Sequence, residues 1–230
     1  MDHNWQKLAN KLAEYVPFTA SNLIWRLLDG SNRSLLDVGC GPGRPAGIIK
    51  RHRPMFLAGT DIFVPYLQHC QQNHTHDELI RCDLRNLPIR EKSFDAALCK
   101  EVIEHLDKQE GDALIKKLEK IARQQVIITT PVGRYEQHEY DGNPFQEHKS
   151  ARKPADMRNY GFTVRGVGVR GMHGEGGLQA CLPQALRWLI DICYVLAGPV
   201  VHFFPELACY MVCSKKLAIK QGGTSDGDIH

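Results

Sequence analysis

The sequence contains no CxxC pair, no run of about twenty apolar residues and no marked excess of either charge. Its eight cysteines, Cys40, Cys70, Cys82, Cys99, Cys181, Cys193, Cys209 and Cys213, therefore predict reduced thiols in a cytoplasmic protein, most of them acting as small core residues. Met1 to Glu14 mixes charged and apolar residues, so no signal peptide is expected. The longest stretch without acid or base apart from His202, Ile192 to Pro205, is interrupted by Gly198 and Pro199 and is too short to cross a bilayer. It predicts a buried helix or pocket wall, with shallow membrane contact as the alternative. Lys and Arg total 29 against 26 acidic residues, which falls short of the basic stripe of a nucleic-acid binder. No GxxxxGK[ST] loop is present, which removes support for phosphate transfer.

What is there is the composition of a folded domain: 230 residues, 43% apolar and 24% charged, with 20 Gly and 12 Pro, enough for one substantial α/β domain with an insertion or lid. Helical spacing runs through Trp5, Leu8, Leu12 and Tyr15, and again through Leu23, Ile24, Leu27 and Leu28. The period changes at Ser34 to Gly39, a buried-strand pattern entering a glycine-rich bend, and a helix follows over Ala46 to His52. Strands are then predicted at Phe56–Ile62, Glu78–Asp83, Phe94–Cys99 and Gln125–Thr130, with helices at Pro65–Asn73 and Gln109–Arg123. That alternation favours a parallel sheet covered on both faces. Beyond Pro131, residues 132–153 read as an active-site loop. A short helix at Pro154–Tyr160, an edge strand at Phe162–Gly168, a mobile glycine-rich tract at Gly171–Gly177, a helix at Leu186–Leu196 and a final strand at Leu207–Ser214 complete the pattern.

The strongest local signal is Leu35 to Gly43. Glycines there let the backbone turn closely around a ligand, and exposed amides with the following helix terminus suit a polar group. Asp61, 22 residues after Gly39 and at the end of the next strand, is placed to accept from a ribose diol. Asp83, at another strand end, either accepts an adenine amine or caps a solvated turn. Asp95 is expected to mark an exposed strand start. His69, Cys70, His74 and His76 match no familiar zinc spacing and read as a polar helix end.

In the order "LLDVGCGPG", "GTDI", "RCDLRNLP", "SFDAALCKEVIEHL" and "VIITTP", the chain resembles the class I S-adenosylmethionine-dependent methyltransferases, in particular their small-molecule methyltransferase-like group. The likeness is strong over residues 34–168. It implies an α/β fold, a Rossmann-like doubly wound seven-stranded mostly parallel sheet with an antiparallel final strand, and S-adenosyl-L-methionine as cofactor. By the same likeness Gly39 and Gly41 approach the methionine part, with Asp37 supporting the bend, and Asp61 binds ribose. Ile62, Asp83 and Leu84 meet adenine, while Cys99 and Lys100 line the cofactor.

Glu101, Glu104 and His105 also resemble the EXXEH element of some oxygen methyltransferases, including the small-RNA methyltransferase family. With His148 they offer an oxygen and nitrogen metal site, although no spatial relation to His148 follows from the chain and no metal ligand is assigned. His105 and His148 are the candidate catalytic bases. Tyr135, His138, Tyr140, Asn143 and Phe145 supply a varied acceptor wall, and Arg134, Lys149, Arg152 and Lys153 an exposed basic face. The expected organisation is an amino-terminal helical cover at 1–33, a methyltransferase domain at 34–215 with substrate-covering insertions at about 132–153 and 169–206, and a polar tail at 216–230. The expected reaction is methyl transfer to an oxygen, nitrogen or activated carbon of a small acceptor with some apolar character. RNA methylation and a non-catalytic cofactor sensor or scaffold are the alternatives.

Overall fold

The computed structural model describes residues 14–138, 142–172 and 178–218. The expected helix through Trp5 to Leu12, Tyr140, most of the glycine tract and the tail beyond Ala218 lie outside the described residues.

Alternating elements follow the chain: α1 (Ala20–Leu27), β1 (Ser34–Val38), α2 (Arg44–His52), β2 (Phe56–Asp61), α3 (Val64–Gln72), β3 (Glu78–Arg81), β4 (Phe94–Lys100), α4 (Lys108–Ile121) and β5 (Ala122–Pro131). Then come α5 (Pro154–Asn159), β6 (Thr163–Val169), α6 (Leu178–Cys181), α7 (Arg187–Phe203) and β7 (Ala208–Lys216). The seven strands form one sheet in the order β3-β2-β1-β4-β5-β7-β6, parallel from β3 through β5, with β7 antiparallel to both β5 and β6. This is the doubly wound sheet with an antiparallel final strand that the sequence predicts.

The buried strands carry apolar residues on consecutive positions because both faces are covered. Leu36, Ile128, Met211 and Cys213 enter one core beneath α4 with Leu114, Ile115, Leu118 and Ile121. Leu35, Ile127 and Val212, one position out of phase, enter the other core with Leu23 and Ile24 of α1 and Ile49 of α2. At the amino ends of the strands, Asp95 accepts from the Arg33 and Ser34 amides at 2.8 and 3.0 Å and from Arg123 Nε at 2.8 Å. It is buried, not an exposed strand marker, because it neutralises the amide-rich start of β1. Gln125 joins the amino-terminal segment to the sheet, donating to Leu27 O at 2.8 Å and accepting from Asp29 N at 3.0 Å.

Two expectations fail through the same omission, the identity of the neighbouring surface. Arg152 is 1% exposed rather than part of a basic face: its guanidinium pairs with Asp112 and donates to Lys108 O at 2.9 Å, pinning the loop after β5 to α4. The Ile192 to Pro205 segment is not wholly buried. Trp188, Ile192, Val195, Leu196, Val200 and Phe203 recur at helical spacing along an exposed stripe of α7, whereas Ile190 and Val201 are buried. The helix packs against β6, an edge strand, so only one flank of it meets the core. Among the described residues no helix is long and apolar enough to cross a membrane.

The contact between α7 and β6 depends on Gly166, where a Cβ would lie 2.2 Å from Val201 O and 2.9 Å from Ala208 Cβ. Gly166→Ala is expected to cost roughly 1–3 kcal/mol through this overpacking. Scanning calorimetry should show Tm falling by several degrees, and an unchanged Tm would contradict the packing.

Candidate active site

The carboxyl ends of β1, β2 and β4 open onto a cleft of about 1200 Å3 where the strand order reverses between β1 and β4. Single small-molecule sites usually span about 300–1,000 Å3, so this cleft has room for two ligands.

Its floor is the turn after β1. Gly39, Gly41 and Gly43 take φ of 67°, 52° and 77°, a left-handed region open to residues without a Cβ. A Cβ on Gly39 would sit 2.4 Å from Val102 Cγ2, so the backbone there lies as close to the turn after β4 as it can. Asp61, at the end of β2, holds the turn from the side: Oδ2 accepts from Gly41 N and Oδ1 from Phe63 N, both at 2.9 Å. Burial raises the Asp61 carboxyl above its ordinary range, and those two amides oppose the shift.

Gly39, Gly41, Asp61, Ile62, Asp83, Leu84 and Lys100 all line the cleft. Asp83 caps the short turn Leu84–Asn86 and is gripped by Arg85 Nη2 at 2.5 Å, which holds its carboxyl below the usual range. Lys100 Nζ meets Glu101 Oε1 at 2.6 Å. One residue expected to line the cofactor, Cys99, stands elsewhere. Cys99 is fully buried and faces the core under α4, because alternate residues of β4 face opposite sides and Lys100 takes the edge. Asp37 is buried behind the turn, with Oδ2 3.3 Å from His76 Nε2, and forms no part of the cleft wall.

At the other end of the cleft the fold brings His148, whose relation to them the sequence leaves open, beside Glu104 and His105. One ligand atom each from Glu104, His105 and His148 lies within 4.8 Å of the others, and the two imidazole centroids are 4.9 Å apart. The loop after β5 is bound to the turn after β4 by Lys149 N and Ser150 N, donating to Glu104 O at 2.8 and 3.1 Å. His105 Nδ1 contacts Glu147 O at 3.1 Å, and His148 Nδ1 contacts Tyr135 O at 2.7 Å. A carbonyl only accepts, so both Nδ1 atoms carry the hydrogen, and in the neutral form of each ring the acceptor atom is Nε2; the Glu101 carbonyl also approaches the His105 ring. Burial lowers the His105 pKa, which keeps this ring neutral near pH 7. Glu104 is 2% exposed; burial and the nearby Glu101 charge push its carboxyl up to about 8, against the Thr130 hydroxyl that donates to Oε2 at 3.1 Å. Its Oε1 has no hydrogen-bond partner.

Glu101 itself has φ of 53°, a strained conformation for a non-glycine residue, at the rim between the two halves of the cleft. Tyr210 of β7 also lines it, beside Pro131. Nothing in the local sequence marks Tyr210, because its place depends on β7 pairing with β5. Glu14 and Ser21 form part of the wall, so the amino-terminal segment reaches the cleft, whereas no described residue of 169–206 does.

Residues 36–129 match a family model described as "Methyltransferase domain". The sequence matches no curated protein. Among solved structures, magnesium protoporphyrin IX methyltransferase from Synechocystis PCC 6803 with bound S-adenosylhomocysteine superposes with a TM-score of 0.54 at 15% identity, over 95% of this chain and 89% of that one. The methyltransferase domain of bacterial CtHen1 gives 0.55 at 18% identity, over 88% and 99%. The [4+2]-cyclase SpnF gives 0.56 at 19% identity, over 94% and 84%. At such identities the likeness shows the fold alone, and the presence of a cyclase among the neighbours illustrates that chemistry resides in the site.

Proposed function

We propose that the chain, whose residues 36–129 match a methyltransferase-domain model, is a class I S-adenosylmethionine-dependent methyltransferase that methylates a hydroxyl, or an equivalent nitrogen, of a small polar acceptor bound beneath the loop at 132–153. The observation that carries this reading is the pair His105 and His148, each with Nδ1 held by a backbone carbonyl, so that the neutral ring presents Nε2 as its proton acceptor.

The residues at the glycine end fit the cofactor. The cradle admits no side chain at Gly39, and a carboxylate at Asp61, an apolar face at Ile62 and Leu84 and a second carboxylate at Asp83 succeed one another along its wall. In this reading Gly39 and Gly41 take the methionine part through their backbone, Asp61 the ribose, and Ile62, Asp83 and Leu84 the adenine, with Lys100 at the junction. S-adenosylmethionine supplies an electrophilic methyl group on a sulfonium. The protein aligns the acceptor, excludes water and takes the acceptor's proton at a histidine Nε2. The acceptor end carries Glu101, Gln137, Asn143 and Lys149, with Phe145 and Leu106 as its apolar patches, which favours a hydroxylated acceptor over an apolar one.

A second reading rests on the buried, unpaired Glu104 Oε1 beside the two histidines: Glu104, His105 and His148 would hold a divalent cation that orients a pair of acceptor oxygens. Reduced thiols agree with a cytoplasmic setting, and the uncharged stripe of α7, with Trp188 and Phe203 near its ends, supports peripheral contact with a lipid surface.

Titration calorimetry is expected to show one site per chain for S-adenosylmethionine and S-adenosylhomocysteine; binding of neither by folded protein overturns the cofactor reading. With labelled cofactor, label should appear in a polar metabolite fraction. Label confined to RNA overturns the acceptor class.

A further inference from the structure

Behind the glycine turn lies a second constellation that methyl transfer does not use. Cys40 in the turn, Cys70 near the end of α3 and His76 before β3 are all buried, and their sulfur and ring-nitrogen atoms lie within 4.8 Å of one another. Asp37, 1% exposed, places Oδ2 3.3 Å from His76 Nε2, and its Oδ1 has no hydrogen-bond partner. Two glycines make the space. A Cβ on Gly59 would lie 2.8 Å from the His76 ring and 3.1 Å from Cys40 Sγ, and one on Gly43 would lie 2.8 Å from Cys70 Sγ.

Two thiols, an imidazole and a carboxylate are gathered out of water here: Cys70 Sγ donates to Gly41 O at 3.3 Å and His76 Nδ1 meets Thr75 Oγ1 at 2.9 Å, but the buried Asp37 Oδ1 is left without a partner, which is costly. Around a soft divalent cation the same set is favourable. Zinc bonds of about 2.3 Å to sulfur and about 2.0 Å to nitrogen place tetrahedral ligand atoms roughly 3.3–3.8 Å apart, so a closing movement on the order of 1 Å gathers all three onto one ion. Ligation through His76 Nδ1, in exchange for its 2.9 Å contact with Thr75 Oγ1, leaves Nε2 on Asp37, the carboxylate that commonly holds a ligating imidazole. Cys40 and Thr75 border the cleft, which gives the ion a way in.

We propose that Cys40, Cys70 and His76 bind one zinc-class divalent cation, tying the cofactor turn to α3. Binding releases two protons from the Cys40, Cys70 and His76 set to solvent, leaving two thiolates and a neutral imidazole, and forms two metal–thiolate bonds with no change of oxidation state. This site is separate from Glu104, His105 and His148, which contain no sulfur.

The experiment is an anaerobic titration of reduced, chelator-treated full-length protein with cobalt(II), a spectroscopic substitute for zinc. One equivalent is expected to produce a thiolate-to-cobalt charge-transfer band and intense tetrahedral ligand-field bands, both bleached by zinc. Cys70→Ser should lose most of the charge-transfer intensity and weaken cobalt affinity at least tenfold, while Cys181→Ser, Cys193→Ser and His148→Ala leave the spectrum unchanged. S-adenosylhomocysteine binding reports that each variant is folded. If Cys40→Ser does not fold, protection of two thiols from alkylation by zinc in the wild type gives an independent reading. Absence of a charge-transfer band, its persistence in Cys70→Ser, or loss of the two thiols to a disulfide in place of metal uptake overturns the proposal.

Discussion

Asp61→Ala is expected to weaken S-adenosylhomocysteine binding by about ten- to a hundredfold, from the loss of charge-assisted hydrogen bonds worth about 1.5–3 kcal/mol. Each Asp61 oxygen is committed to one amide, Gly41 N or Phe63 N, at 2.9 Å, and a carboxylate oxygen accepts a second bond. The same group can therefore hold the turn and receive a ribose diol. Alanine removes both functions. Asp61→Asn keeps one carbonyl oxygen and should fall between the two. Calorimetric titration of each variant, with Tm as a control for folding, tests the assignment. An affinity for folded Asp61→Ala within twofold of wild type would remove Asp61 from the cofactor site.

His105→Ala is expected to lower turnover by about 10²–10⁴-fold, the usual contribution of a positioned base, with S-adenosylhomocysteine affinity within twofold of wild type. The reason is spatial: His105 lies at the end of the cleft away from Asp61 and Ile62, with its Nδ1 fixed by Glu147 O and its ring against His148. Initial rates with the acceptor found in the labelling screen measure the effect. Chelator treatment separates the two readings of this cluster. A rate that survives chelation supports proton transfer to the histidine, and a rate that falls and returns with a divalent cation in wild type and in Cys70→Ser alike supports metal assistance at this cluster. Turnover unchanged in His105→Ala sinks both.

Much of the glycine-lined half of this cleft is legible in the sequence because its determinants are local. Leu35 to Gly43 carries its own strand and turn signals, and Asp61 follows one helix and one strand later, at a distance dictated by the βαβ unit. What escaped local reading depends on partners far away in the chain. Arg152 looks like a surface base until Asp112 and Lys108 are seen beside it. Cys99 and Lys100 are neighbours in the motif, and a single step of strand alternation sends one into the core and the other to the cleft. His76 reads as the polar end of a helix, yet Gly59 opens a buried space for it next to Asp37 and Cys40. Apolar periodicity correctly identified a helix in α7, but it records only that the face is apolar, and the surface it meets is a property of the sheet edge.

The position of β7 between β5 and β6 has a consequence for synthesis as well as for the finished sheet. The chain emerges from its amino end, and at about 5–20 residues per second roughly 4–15 s separate the end of β5 at Pro131 from the start of β7 at Ala208. Throughout that interval the outer edge of β5, with Val126, Ile127 and Ile128, lacks the strand that will cover it, and in its second half β6 too has emerged without its neighbour in the sheet. An open slot flanked by two strand edges invites pairing with a strand from another nascent chain. The window between β5 and β7, and not only the stability of the completed domain, therefore exposes the nascent sheet to misassembly.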